Sequence, residues 1–320
     1  MRIGVFSDST LHLSLADSLA RYEEWGITAV ELGTGNFSPA PHLNLMDMLE
    51  DAGARGRLLA SLDRHNIVLS ALNCSGNPLH PRAELATHDS QVIHDTIRLA
   101  AVLGVDRVVT MSGCPGEPGG SHPNWVTFTW PPHFEELLKW QWDEVLLPYW
   151  TDTAAYARSL GVVLCFEMHP GMSVYNTASL LRLRDAISDT ITANLDPSHL
   201  WWQGMDPLEV VRALGPAVGF VHAKDTRIDP TRTGINGCLD TTLPAVPVNM
   251  PWVFRAVGFG HGAGWWRDFI SVLRMNGYDG VLSIENEDPL MGLEDGTRMA
   301  AEFLKPLVFN PARMLSGQSV

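Results

Sequence analysis

Long apolar runs are missing from this chain of 320 residues. A membrane span needs about eighteen or more, so none is expected. The opening MRIGVFSDST reads directly as a first strand rather than as a basic segment followed by a longer apolar stretch, so no secretory signal is expected and a cytoplasmic location follows. Cysteine is scarce. The four, Cys74, Cys114, Cys165 and Cys238, include no CxxC spacing, which argues for small buried thiols in a reducing compartment over disulfides or zinc ligands. Basic charge is short as well: 22 Lys and Arg face 36 Asp and Glu, for a net charge of −14. Binding to a phosphate backbone depends on Lys and Arg displacing counterions, so nucleic acid is not an expected partner. No Gly-rich phosphate cradle appears, which points to a substrate without phosphate. No Gly-, Ser- or Pro-rich linker divides the chain, and residues 1–320 read as one domain.

What is present is an alternation of two periods. Apolar runs of strand length occur at RIGVFSD, ITAVELG, IVLSALNC, DRVVTMSG, VVLCFEM, ITANLDP, VGFVHAK and GVLSIEN, with helical spacing between them. Several helices finish on Gly just before the next strand, as in YEEWG-IT and AAVLG-VD. The fourth helix is long, from Phe134 to about Leu160. Strands separated by helices need parallel crossovers, and eight of them close most naturally into a (β/α)8 TIM barrel. Two stretches exceed ordinary loop length, residues 115–133 after the fourth strand and 228–260 after the seventh. Both belong on the carboxyl face of the barrel, where they would cover a site.

Four metal-ligand types end successive runs in the second half: Glu167 in VVLCFEMHP, Asp196 in ITANLDPSH, His222 in VGFVHAKD and Glu285 in GVLSIENED. In a barrel those ends converge, and three carboxylates plus an imidazole suit Mn²⁺, with Mg²⁺ or Co²⁺ as alternatives, over a thiolate-seeking ion. Any one of them alone would be a solvated strand end or a helix cap. Such a cation could grip a carbonyl and its neighbouring hydroxyl, so enolisation by proton abstraction beside the carbonyl is the expected chemistry. Glu167 and Glu285, approaching from opposite sides of the mouth, are the proton carriers, because a monodentate Glu keeps one oxygen free.

Other groups cluster near the same ends. His169 and His199 are further catalytic candidates, and His199 is placed to donate to a substrate oxygen. Arg227 suits an oxyanion or a hydroxyl, and Lys224, His261, Trp125 and Glu31 join His199 as substrate-binding candidates. Each could instead be a structural hydrogen-bonding group at a loop base. Eleven tryptophans are many for this length. Those in the long loops offer faces on which sugar rings or flat aglycones stack, while paired ones such as Trp265 and Trp266 read equally as core or subunit contacts.

With these residues in view, the chain resembles the sugar phosphate isomerase and epimerase family, the xylose-isomerase-like barrels that include tagatose epimerases and inosose dehydratases. The resemblance spans essentially the whole chain and rests on Glu167, on DPSH at Asp196 to His199, on VHAKD at Val221 to Asp225, and on VGFGHGAGWWRDFISVLRMNGYDGVLSIENED. It implies the same metal quartet, Glu167 and Glu285 as the acid/base pair, and His199 and Arg227 on the substrate, although Arg227 stands one residue closer to His222 than in the epimerases. The segment PNWVTFTWPPHFEELLKWQWDEVLLPYW is similar to the large subunit of C-glycoside deglycosidases. That subgroup implies enolisation of a 3-keto sugar, expulsion of an aglycone and a small second subunit. An isomerase or epimerase of a keto sugar therefore leads, and a lyase on an oxidised glycoside or inosose is the alternative. A homo-oligomer is expected in either case. A metal-dependent abasic-site endonuclease shares the barrel type but calls for a basic groove, and a non-catalytic sugar-binding module would not need the intact quartet.

Overall fold

A computed structural model describes residues 1–241 and 247–309. Eight parallel strands close a barrel, and two more form a separate antiparallel pair. In chain order the strands are β1 (Arg2–Phe6), β2 (Ala29–Gly33), β3 (Val68–Asn73), β4 (Arg107–Thr110), β5 (Val163–Glu167), β6 (Ile191–Leu195), β7 (Val218–Ala223), β8 (Asp225–Ile228), β9 (Trp252–Arg255) and β10 (Val281–Ile284). The ring runs β1-β10-β7-β6-β5-β4-β3-β2. All eight expected runs supply barrel strands, and the expected (β/α)8 TIM barrel is the fold. Gly26 and Gly104 close their helices at φ 72° and 73°, a conformation in which a Cβ is costly.

Side chains alternate along each strand, and this alternation builds the interior in layers. Ala29, Ala71, Val109, Cys165, Phe220 and Val281 form an apolar plug low in the barrel. Two residues further along their strands stand Glu31, Asn73, Met111, Glu167, His222 and Ser283, all buried. The strand period therefore turns an apolar floor into a mostly polar layer within two residues. A much larger apolar cluster packs the outer strand faces against the helices. All four cysteines are free, and Cys74, Cys114 and Cys165 are buried. No helix among the described residues is long and apolar enough to cross a membrane.

The long fourth helix begins slightly early, at Pro132, and runs to Ser159 through a π-helical segment, Gln141–Leu146. Pro148 follows that segment, and its missing N–H removes the bond that Glu144 would otherwise accept, which fits the local widening. Gln141, turned inward there, donates to the carbonyls of Pro115, Gly116 and Asn124 and so ties down the first long loop. The second stretch, 228–260, is not a structureless loop. It holds a helix, Pro230–Asn236, and β9, which pairs antiparallel with β8 from Asp225–Arg255 to Ile228–Trp252. Its residues 242–246 lie outside the described residues, as does the end of the expected domain beyond 309.

Candidate active site

Glu167 is the last residue of β5, Asp196 follows β6, His222 lies within β7 and Glu285 follows β10, and each takes the inward side of its strand. One ligand atom from each lies within 4.8 Å of the others. Asp196 also caps the short helix Pro197–Trp201: its Oδ1 accepts from the Ser198 N–H at 2.8 Å, while its buried Oδ2 has no hydrogen-bond partner. His222 Nδ1 is likewise buried and unpartnered, although Glu285 Oε2 lies 3.2 Å away and Glu167 Oε2 3.9 Å. Buried polar atoms left without hydrogen bonds are costly, and a shared cation satisfies several at once. The quartet thus fits a divalent metal of the oxygen-preferring kind. The two glutamates are not diametrically opposed, since β6 and β7 separate β5 from β10 in the ring.

Beneath the quartet, His222 Nε2 donates to Glu31 at 3.0 and 3.1 Å. Asn73 and Ser283 also donate to Glu31, at 2.8 and 2.7 Å. Glu31, expected as a substrate contact, is fully buried under the imidazole and is not among the residues that line the mouth. Its carboxylate holds a proton on Nε2 and turns Nδ1 toward the quartet, where loss of the Nδ1 proton to a binding metal would free the lone pair, the arrangement by which a second carboxylate orients a metal-binding histidine.

The charges are strongly coupled. Burial disfavours protonation of His222, yet Glu31 and Glu285 outweigh it and hold the imidazole well above its usual range. Burial would raise Glu285, but Lys224 and His222 keep it well below the ordinary carboxylate range. Glu167 is raised, by burial first and then by Glu285. Burial also pushes Asp196 up to about 8, with Lys224 opposing and Glu167 and Glu285 adding to it. The acids outnumber the cations around them, and a divalent ion would supply the missing positive charge.

Around this centre the structure gathers three of the other expected residues. His199 Nε2 is buried without a hydrogen bond, 3.0 Å from Glu167 Oε1 and 3.4 Å from Asp196 Oδ2. His169 stacks obliquely on it, ring centres 4.2 Å apart, and donates from Nδ1 to the Pro170 carbonyl at 2.6 Å. Burial, then the neighbouring His199, lowers His169 to about 4, and burial and Lys224 hold His199 well below its usual range, so both rings are neutral at pH 7. Lys224, at the bend between β7 and β8, is buried and donates to Glu285 at 3.1 Å and to Glu287. Its ammonium also lies 4.3 Å from the centre of the Phe254 ring.

Arg227, His261 and Trp125 do not join them. Alternation in β8 buries Thr226 and turns Arg227 outward, where it is exposed. His261 Nδ1 donates to Asp225 at 2.8 Å and its ring stacks on Trp201 at 3.9 Å, away from the residues that line the mouth. Asp225 also accepts from the N–H groups of Gly258, Gly260 and His261, and a Cβ at Gly260 would stand 2.4 Å from its carboxylate. Trp125 packs edge-on against Tyr175 and lines a separate cavity of about 220 Å³.

The mouth itself is a cavity of about 430 Å³ lined by Asp8, Ser38, Glu167, His169, Glu285 and Glu287, among others. Its size falls in the range of about 300–1,000 Å³ usual for small-molecule sites. Asp8 and Glu287 were not among the expected residues, yet Asp8 ends the first run, RIGVFSD, by the same strand-end logic that found the quartet. It accepts from Ser38 at 3.0 Å, and burial, against that bond and with help from Glu285 and Glu31, lifts its carboxyl to about 6.

The model of the family described as xylose isomerase-like TIM barrel matches residues 19–307. The chain belongs to that family. An uncharacterised protein of Bacillus subtilis, YfiH, is 41% identical over 312 residues, which are 96% of this chain and 99% of that protein. Among solved structures, the IolI protein with a binding zinc atom superposes at a TM-score of 0.66 and 19% identity, covering 96% of this chain and 98% of the other. A D-tagatose 3-epimerase-like protein does so at 0.64 and 21%, with coverage of 96% and 98%. At such identities the likeness is one of fold.

Proposed function

We propose that this xylose isomerase-like barrel is a divalent-metal-dependent isomerase or epimerase of a keto sugar that works by abstracting a proton beside the carbonyl. The observation that carries this reading is the buried quartet, in which Asp196 Oδ2 and His222 Nδ1 have no hydrogen-bond partner and face two glutamates. When bound there, a divalent cation such as Mn²⁺ supplies Lewis-acid polarisation of a carbonyl and its neighbouring hydroxyl. The remaining steps belong to the chain. Glu167, whose carboxyl is raised by burial and by Glu285, takes the proton from carbon; the poise suits a base that must later return it. Glu285, held ionised by Lys224 and His222, exchanges a proton with the other face. His199 and His169, both neutral, orient substrate oxygens. Four carboxylates, Asp8, Glu167, Glu285 and Glu287, line the mouth and would repel a phosphate, which favours a free sugar or a glycoside.

A lyase reading draws on Lys224. Its buried ammonium, shared between Glu285 and Glu287, is a proton source near the carboxylate that handles carbon-bound protons. Expulsion of a leaving group from a 3-keto glycoside would use it. Both readings share the first step, so wash-in of deuterium from D₂O into keto sugars with Mn²⁺ present, abolished by a chelator, tests it. No metal-dependent exchange with free ketohexoses or 3-keto glycosides would sink the proposal. Exchange without release of an aglycone selects the isomerase or epimerase.

A further inference from the structure

Between the segments that follow β4 and β5 lies the cavity of about 220 Å³, which shares no lining residue with the mouth. The backbone around it is tied down: the Ser173 N–H donates to the Gly113 carbonyl and the Val174 N–H to Ser112 Oγ, both at 2.9 Å. Its walls are aromatic, formed by Trp125, Trp142 and Tyr175. Trp142 is buried and belongs to the π-helical segment, a local widening that recurs at functional sites. The Arg182 guanidinium lies 3.9 Å from the centre of the Trp142 ring. Asp143 Oδ1 stands 3.8 Å from that guanidinium, but Asp143 also pairs with Lys139, which leaves the three groups with a net positive charge. No carboxylate is among the described residues that line this cavity. In a chain of net charge −14, with four carboxylates in its mouth, that reverses the prevailing sign. The Trp125 Nε1–H is buried and has no hydrogen-bond partner, and a buried donor without an acceptor is costly. Ala178 and Ser179, in the first turn of the helix Thr177–Ile187, complete the wall with the end of a helix that favours negative charge.

We propose that this cavity binds a small aromatic carboxylate, at a site separate from the mouth. The ring packs against Trp125, Trp142 and Tyr175, and the carboxylate accepts from the Trp125 indole and from the Arg182 guanidinium, whose planar fork matches it. Size selects the ligand. An apolar cavity of about 150 Å³ holds benzene, so the space here admits a single ring with its acid group. The aromatic walls discriminate against a bare inorganic anion, and the cationic edge against a neutral ring.

Calorimetric titration of the full chain with benzoate, in the presence of a chelator, reads this site without metal at the quartet and so does not depend on the sugar chemistry proposed above. One benzoate per chain is expected, with a Kd on the order of 0.1–1 mM. Benzyl alcohol, which keeps the ring, and inorganic phosphate, which keeps the charge, should each bind at least about 10-fold more weakly. Arg182→Gln should weaken benzoate binding about 10-fold and Trp125→Phe about 3- to 10-fold. Ala178 is exposed on its helix, so Ala178→Leu adds bulk to the cavity wall without removing a side-chain hydrogen bond. That variant should lose benzoate binding while its far-UV circular dichroism stays as in wild type. No saturable binding of benzoate, phosphate or benzyl alcohol binding as tightly as benzoate, or wild-type affinity in any of the three variants overturns the proposal. Should a variant not fold, the three ligands on the wild-type protein decide: benzoate alone binding supports the site, and any other order rejects it.

Discussion

At the scale of single residues, Glu31 and Asp8 carry the sharpest expectations. Glu31 bonds to His222 and does not itself line the mouth, so its part in the proposed metal site is to position that ring. Removing such a partner typically costs about 10–100-fold in metal affinity. Glu31→Gln should therefore weaken Mn²⁺ binding by a factor in that range, measured by calorimetry, while far-UV circular dichroism of the metal-free protein stays unchanged. Equal affinity would reject the role. Asp8 tests linkage. Its folded carboxyl titrates near 6, above its ordinary 3.8, so the folded state binds the proton more tightly. The stabilisation is complete below about pH 4 and disappears as pH rises through 6, leaving a cost on the order of 2 kcal/mol for the ionised form, allowing for its partial exposure. Asp8→Asn should remove the pH 4–6 slope of metal-free stability and raise stability above pH 6, as read by urea titration; an unchanged slope would assign it to other groups. These two residues also mark how far the sequence could be read. Strand-end position located the quartet and could have located Asp8. It could not say that Glu31 points at the far side of His222, nor that β8 turns Arg227 outward, because both depend on partners distant in sequence.

At the scale of elements, the eight barrel strands were legible because each is a short apolar run closed by turn or cap residues, and burial on both faces demands that pattern. The β8 and β9 pair was not. WVFR is four residues long, follows Pro251 and sits in a Pro-, Gly- and Thr-rich stretch, so its pairing with DTRI depends on tertiary packing rather than on local pattern. That packing is aromatic. Trp252 stacks on Trp202 with ring centres 4.5 Å apart and planes within 7°, and Phe254 meets His199 edge-on at 5.2 Å. Several of the many tryptophans thus fasten an element over the site rather than offering a face to sugar. A stacked aromatic pair is worth about 0.5–1.5 kcal/mol beyond its buried area. Trp252→Ala should raise the rate of proteolytic cleavage between residues 225 and 262 about 3- to 10-fold under native conditions. A cleavage rate equal to wild type would show that the stack does not hold the pair down.

For the whole molecule, the buried acid cluster at the barrel mouth sets charge crowding against fold stability. The chain carries a net charge of −14, and much of the cost of its acids is concentrated where Glu167 and Asp196 are buried beside Glu285. Asp196, lifted to about 8, binds its proton more tightly folded than unfolded, so in metal-free protein its contribution is lost as pH rises through 8 and its ionised form then destabilises the fold. An asparagine keeps the oxygen that caps Ser198 and carries no charge. Without metal at pH 8.5, Asp196→Asn should be at least as stable as wild type. A cation reverses the order. At a free concentration of 100 times its Kd it adds about 2.7 kcal/mol to wild type by mass action, and the variant, lacking the Oδ2 that the cation would neutralise, gains far less. Melting curves of both proteins with chelator and with saturating Mn²⁺ should therefore cross, the variant melting at or above wild type in chelator and below it in metal. Parallel curves would mean that Asp196 is not a ligand, and that its buried, unpartnered oxygen answers to something other than a metal.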